Sequence, residues 1–133
     1  MKIVSLICRI LLGLIFVVFG ANILHPFLPQ PAMDPAAPAT RFSMIMMESG
    51  WFKFIGFFQV LGGLLVLYPG TVPLGICVLV PLTVNILLFH LTLAGGHGIG
   101  PGLFTAILEI VLIYAYRSSF AGIITHKATH TTA

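Results

Sequence analysis

The stretch Ile3–Leu24, IVSLICRILLGLIFVVFGANIL, carries one charged residue, Arg9. As an α-helix it would be about 33 Å long at 1.5 Å per residue. That matches the hydrocarbon thickness of a bilayer, about 30 Å. The run is continuous rather than alternating, so it reads as a helix and not as a strand of a membrane barrel. Lys2 followed by an apolar run also suits a secretory leader. Arg9 interrupts that apolar region and no small-x-small site follows cleanly, so the segment is expected to be retained.

Three more apolar runs follow: Trp51–Tyr68, Val72–Leu93 and Leu103–Tyr116. The last is short, and an extension through Arg117 toward Phe120 would lengthen it, with Arg117 snorkelling. Of the 133 residues only 7% are charged and 59% are hydrophobic. The mean hydropathy is +1.13. Soluble domains carry about 25% charged residues, and a chain this short cannot bury so much apolar surface in its own core. A soluble enzyme, a nucleic-acid binder and a disordered chain are excluded. The net charge of +3 is spread along the chain, which argues further against nucleic acid. The fold class is therefore all-α: a polytopic membrane protein with four transmembrane helices in an up-down bundle over residues 1–120, and a polar tail over 121–133.

The connections are unequal. His25–Gly50 is the one long loop, and Pro26, Pro29, Pro31, Pro35 and Pro38 make its first half extended or turning. Its second half, Arg41–Ser49, mixes Met and Phe with Arg41 and Glu48, as a short helix in the membrane interface would. Pro69-Gly70 predicts a tight antiparallel turn, and the connection Ala94–Gly102 is glycine-rich. Lys2, Arg9, Arg117 and Lys127 lie toward the chain ends, so the positive-inside rule places both termini in the cytoplasm. Trp51, Tyr68, Tyr114 and Tyr116 fall near helix ends, as interfacial aromatics do. Gly13 with Gly20, and Gly56 with Gly63, each put two small residues on one helix face for packing. Cys8 and Cys77 read as buried, reduced thiols.

Polar groups inside a membrane are costly and become candidates for function. Arg9 and Glu109 fall at similar depth under this topology, and Arg9 shares a face with Gly13 and Gly20. They are expected to form a structural ion pair. A proton- or ligand-binding role and simple snorkelling of Arg9 stay open beside it. A second set, Asn22, Gln59, Asn85 and His90, falls in the outer half of the membrane, with Pro81 four residues before Asn85. These four are the ligand-binding candidates, as a pocket for a quinone head group or another small polar molecule. The alternative is a structural network in which Asn85 bonds Gln59 or Asn22 and His90 reaches the outer mouth. His25, His90 and His97 share that side with Met33, Met44, Met46 and Met47, a donor set suited to Cu(I). Their spacing matches no compact motif, so no metal is assigned. Haem ligation has still less to support it.

The residues resemble the DoxX family of small four-helix membrane proteins. The likeness runs from Arg9-Ile-Leu-Leu-Gly-Leu-Ile-Phe through Phe19-Gly-Ala-Asn22 and His25. It continues in Leu61-Gly-Gly-Leu-Leu and Val72-Pro-Leu, then Val84-Asn85-Ile-Leu-Leu-Phe-His90-Leu, Leu108-Glu109 and Tyr114-Ala-Tyr-Arg117. It covers nearly the whole chain, and the Asn85–His90 stretch is its most specific part. Gln59 stands where members often carry an acidic residue. The resemblance implies a four-helix fold in a bacterial inner membrane. Founding members are similar to subunits of a membrane thiosulfate:quinone oxidoreductase.

Nothing in the chain is a catalytic motif, which points away from catalysis by this chain alone and leaves enzymatic activity undecided. The first functional reading is a non-catalytic subunit that anchors a larger quinone-linked redox complex. The second is a component that binds a quinone or lipid in the outer polar pocket. The third is a small transporter or lipid-handling protein. The expected partners are the lipid bilayer and a larger membrane complex or a second copy of the chain, with no nucleic acid.

Overall fold

A computed structural model describes residues 1–124, and among them the regular structure is helical, with no strand. The helices are α1 (Lys2–Leu24), α2 (Pro38–Glu48), α3 (Trp51–Leu67), α4 (Val72–Thr92), α5 (Gly100–Ala115) and the single turn α6 (Arg117–Phe120). The long helices thus fall on the four apolar runs. Proline lies in the first turn of α2, α4 and α5, where its fixed φ suits the helix and its missing N–H has no helical acceptor anyway. Proline also ends α1 and α3. His25 and Tyr68 precede Pro26 and Pro69, and both are extended, as a residue before proline prefers.

The long helices form a closed ring: α1 packs on α3, α3 on α4, α4 on α5, and α5 back on α1. The α1–α3 seam is the most extensive and runs through two facing glycine pairs. A methyl group on Gly20 would lie 2.8 Å from the carbonyl oxygen of Gly56, and one on Gly56 2.9 Å from that of Gly20. Gly13 and Gly63 repeat the arrangement two turns away. Beside Gly63, Gly62 turns toward α4, where Gly75 comes within 3.0 Å of its carbonyl by the same measure. The adjacent pair Gly62-Gly63 therefore lets α3 approach two neighbours at once. Leu12, Phe16, Val66, Ile76, Leu79, Leu108 and Leu112 fill the centre of the ring.

The outer faces are apolar as well. Leu14, Phe19, Phe57, Leu74, Leu88, Ile107 and Ile110 are all exposed. By length and apolarity α1 and the stretch Pro69–Thr92 are each able to cross a bilayer. A third candidate joins α2 to α3 through an 87° bend, and α5 is a shorter apolar helix. The bend falls at Gly50, whose φ of 75° lies in the left-handed region that side chains disfavour.

Several local expectations change. The short helix expected from Arg41 begins earlier, at Pro38, because proline starts its first turn. The fourth helix does not run on through Arg117. It breaks at Tyr116, whose φ of −104° and ψ of 18° are not helical. Cys8 is buried but Cys77 is exposed, on the outward face of α4. Residues 121–124 form a 3₁₀ turn. The remainder of the expected polar tail, with Lys127, lies outside the described residues.

Candidate functional site

A cavity of about 920 Å³ lies between α2, α3 and α4, at the end of the bundle where α3 begins and α4 ends. It exists because α2 stands across α3 instead of continuing it. Phe42 and Met46 of α2, Trp51 and Phe58 of α3, and Phe89 of α4 are part of the wall. Phe42 meets Phe89 with ring centroids 5.9 Å apart, which ties the crossing helix to α4. Trp51, Phe54 and Leu88 line the cavity and are exposed, so it opens on the apolar flank of the bundle. Its volume sits near the top of the range for ligand pockets, about 300–1,000 Å³.

Gln59, Asn85 and His90 are among the polar residues that line this largely apolar space, with Ser43 and Thr92. Gln59 is only 4% exposed, yet its Oε1 has no hydrogen-bond partner. His90 Nδ1 is likewise buried without a partner. His90 packs beside Phe89, with ring centroids 5.2 Å apart, and under the α4–α5 loop near Gly98. A buried polar atom left unbonded costs about 1–3 kcal/mol. Both residues line the cavity, and a side-chain turn toward a hydrogen-bonding molecule there would relieve that cost.

The structure brings together three of the four ligand-binding candidates but not in the expected network. Asn85 does not bond Gln59 or Asn22; its Nδ2 donates to the Pro81 carbonyl at 2.9 Å. The carbonyl lies one turn back on the same helix, within easy reach of a short amide side chain. Asn22 does not line the cavity. Its Oδ1 accepts from the Phe27 and Leu28 amides at 2.9 and 2.8 Å, which holds the chain as it leaves α1. His25 and His97 are exposed, and among the described residues no three His, Cys, Asp or Glu side chains converge as a metal site.

The expected pair of Arg9 and Glu109 is not formed. Glu109 Oε1 accepts from Thr83 Oγ1 at 2.7 Å, a contact between α5 and α4. Arg9 Nε is buried with no hydrogen-bond partner. Similar depth does not set direction: Glu109 turns to α4 rather than to α1. Thr83 was not singled out in the sequence, although a buried carboxyl needs a donor nearby. Phe42 and Met46, which the sequence marks as interfacial and, for Met46, as a candidate thioether donor, instead wall the cavity. No known family, curated protein or solved structure matches the chain.

Proposed function

We propose that the chain is a four-span membrane protein that binds a lipid-soluble amphipathic molecule in the cavity between α2, α3 and α4. The spans are α1, α3, α4 and α5, with α2 lying in the interface and both termini on the cytoplasmic side of a bacterial inner membrane. The carrying observation is that Gln59 and His90, each with a buried polar atom left unpartnered, line an aromatic-walled cavity that opens on the apolar flank. An apolar body fits the aromatic wall, and a head with oxygen donors or acceptors fits the two polar groups. A quinone or quinol has both parts, as does a lipid. The DoxX resemblance favours the quinone and a setting in a larger redox complex. Within such a complex this cavity supports a ligand-holding part ahead of a purely anchoring one.

Trp51 is the one tryptophan of the chain and lines the cavity, which supplies the readout. Decylubiquinone added to the purified protein in detergent should quench Trp51 fluorescence saturably. Gln59→Leu and His90→Phe should each weaken binding about tenfold, the worth of one good hydrogen bond. Quenching that never saturates, or that both folded variants keep at wild-type affinity, would remove the quinone reading.

A further inference from the structure

A second cavity, of about 620 Å³, lies at the opposite end of the bundle between the start of α1 and the end of α5. Among the described residues the charged side chains that line it are all cationic, Lys2, Arg9 and Arg117, and they stand with Ser5 and Tyr116. These are half of the six Lys and Arg side chains of the chain. None of the three acidic residues lines it. Glu109 is engaged by Thr83, while Asp34 and Glu48 belong to the connection and α2 beyond the far end of α1.

Arg9 stands about 10 Å along the helix from Lys2. Its guanidinium is partly sunk, and Nε is buried without a partner. Arg117 is held from behind. Its Nη1 donates to the Tyr114 carbonyl at 3.0 Å, and its guanidinium lies 4.7 Å from the centre of the Tyr114 ring. Its other N–H donors are left for the cleft. Three cations around one cleft repel one another unless an anion sits between them, and two guanidinium groups suit the oxygens of a phosphate.

We infer that the cleft formed by Lys2, Arg9 and Arg117 is an anion site that takes a phosphate group. Two sources share that chemistry. One is the headgroup of an anionic phospholipid in the adjoining leaflet, and the other is a soluble phosphate. The site is independent of the α2–α3–α4 cavity, since no residue lines both.

The test uses the full chain in a neutral detergent, with thermal melting and native mass spectrometry. Phosphatidylglycerol, phosphatidylcholine and inorganic phosphate are the probes. Phosphatidylglycerol should raise the melting temperature and remain on the protein at one molecule per chain, while phosphatidylcholine does neither. Arg9→Gln and Arg117→Gln should each lower phosphatidylglycerol affinity at least tenfold, and Arg9→Lys should restore part of it. A shift produced by inorganic phosphate, with both lipids inert, supports the anion site and assigns it to a soluble source. Lys2 and Arg117 are exposed, so Lys2→Gln and Arg117→Gln keep the test available if Arg9→Gln fails to fold. Equal retention of the two lipids with no effect of phosphate overturns the proposal. So does undiminished phosphatidylglycerol affinity in the Lys2→Gln/Arg117→Gln double variant.

Discussion

Gly13 of α1 and Gly63 of α3 face each other at a distance no larger residue would allow. A methyl group on Gly13 would lie 3.0 Å from the Gly63 carbonyl oxygen, and one on Gly63 would lie 2.8 Å from the Gly13 carbonyl oxygen. At Gly13 the Leu67 side chain stands nearer still, at 2.5 Å, but at Gly63 the nearest atom is backbone, so the obstacle there is not relieved by a rotamer change. Gly63→Val should lower stability in detergent by about 1–3 kcal/mol, the cost of overpacking. Gly100→Ala is the control, because a methyl group there meets nothing. Equal melting temperatures for the two variants would contradict the close seam.

The Thr83–Glu109 bond makes a separable forecast. Thr83→Val leaves a buried carboxyl without its donor and should cost about 1–3 kcal/mol. Glu109→Gln keeps an oxygen for the threonine hydroxyl and should cost less. Arg9→Met and Glu109→Gln should add to within about 0.3–0.5 kcal/mol, as for sites with no shared partner. A large coupling energy between them would restore the ion pair that the structure does not show.

Asn22 closes the exit from α1 with two backbone bonds. Its replacement by alanine should cost about 0.5–2 kcal/mol, as for loss of a helix-capping side chain. Hydrogen exchange at Phe27 and Leu28 should quicken, while exchange in the middle of α4 stays slow. Unchanged exchange at those two amides would mean that the side chain does not hold the turn.

The four-span topology can be read by labelling in a variant without Cys8 and Cys77. A cysteine at Asp34 and one at Ser118 should react with a membrane-impermeant maleimide from opposite sides of the membrane. Reaction of both from one side would contradict four spans.

Sequence and structure agree where local chemistry decides and part where direction decides. Apolar runs punctuated by proline located the long helices to within a few residues, because proline and helix geometry act locally. The spacing of Gly13 with Gly20, and of Gly56 with Gly63, marked two packing faces. That the two faces meet each other is a relation between helices that spacing alone cannot supply. Similar depth for Glu109 and Arg9 does not pair them, because a helix offers every azimuth at each depth, and Glu109 bonds Thr83 instead. Asn85 was satisfied within its own helix, so it needed no partner across the bundle. Gln59 and His90 were legible as polar residues in apolar surroundings. The cavity that joins them depends on the corner between α2 and α3, which follows from Gly50 and from packing.

The ring alternates tall and short members. α1 and α4 have 23 and 21 residues, and α3 and α5 have 17 and 16. At 1.5 Å per residue the two diagonals differ by about 8 Å. Set in a bilayer, the bundle therefore presents two hydrophobic thicknesses to the lipid around it. A membrane matched to α1 and α4 must pinch beside α3 and α5, at a cost of fractions of a kcal/mol for each ångström of mismatch. The crosswise α2 and the broken turn α6 stand where the short helices stop, so in a four-span arrangement the thinned lipid would border each of the two cavities.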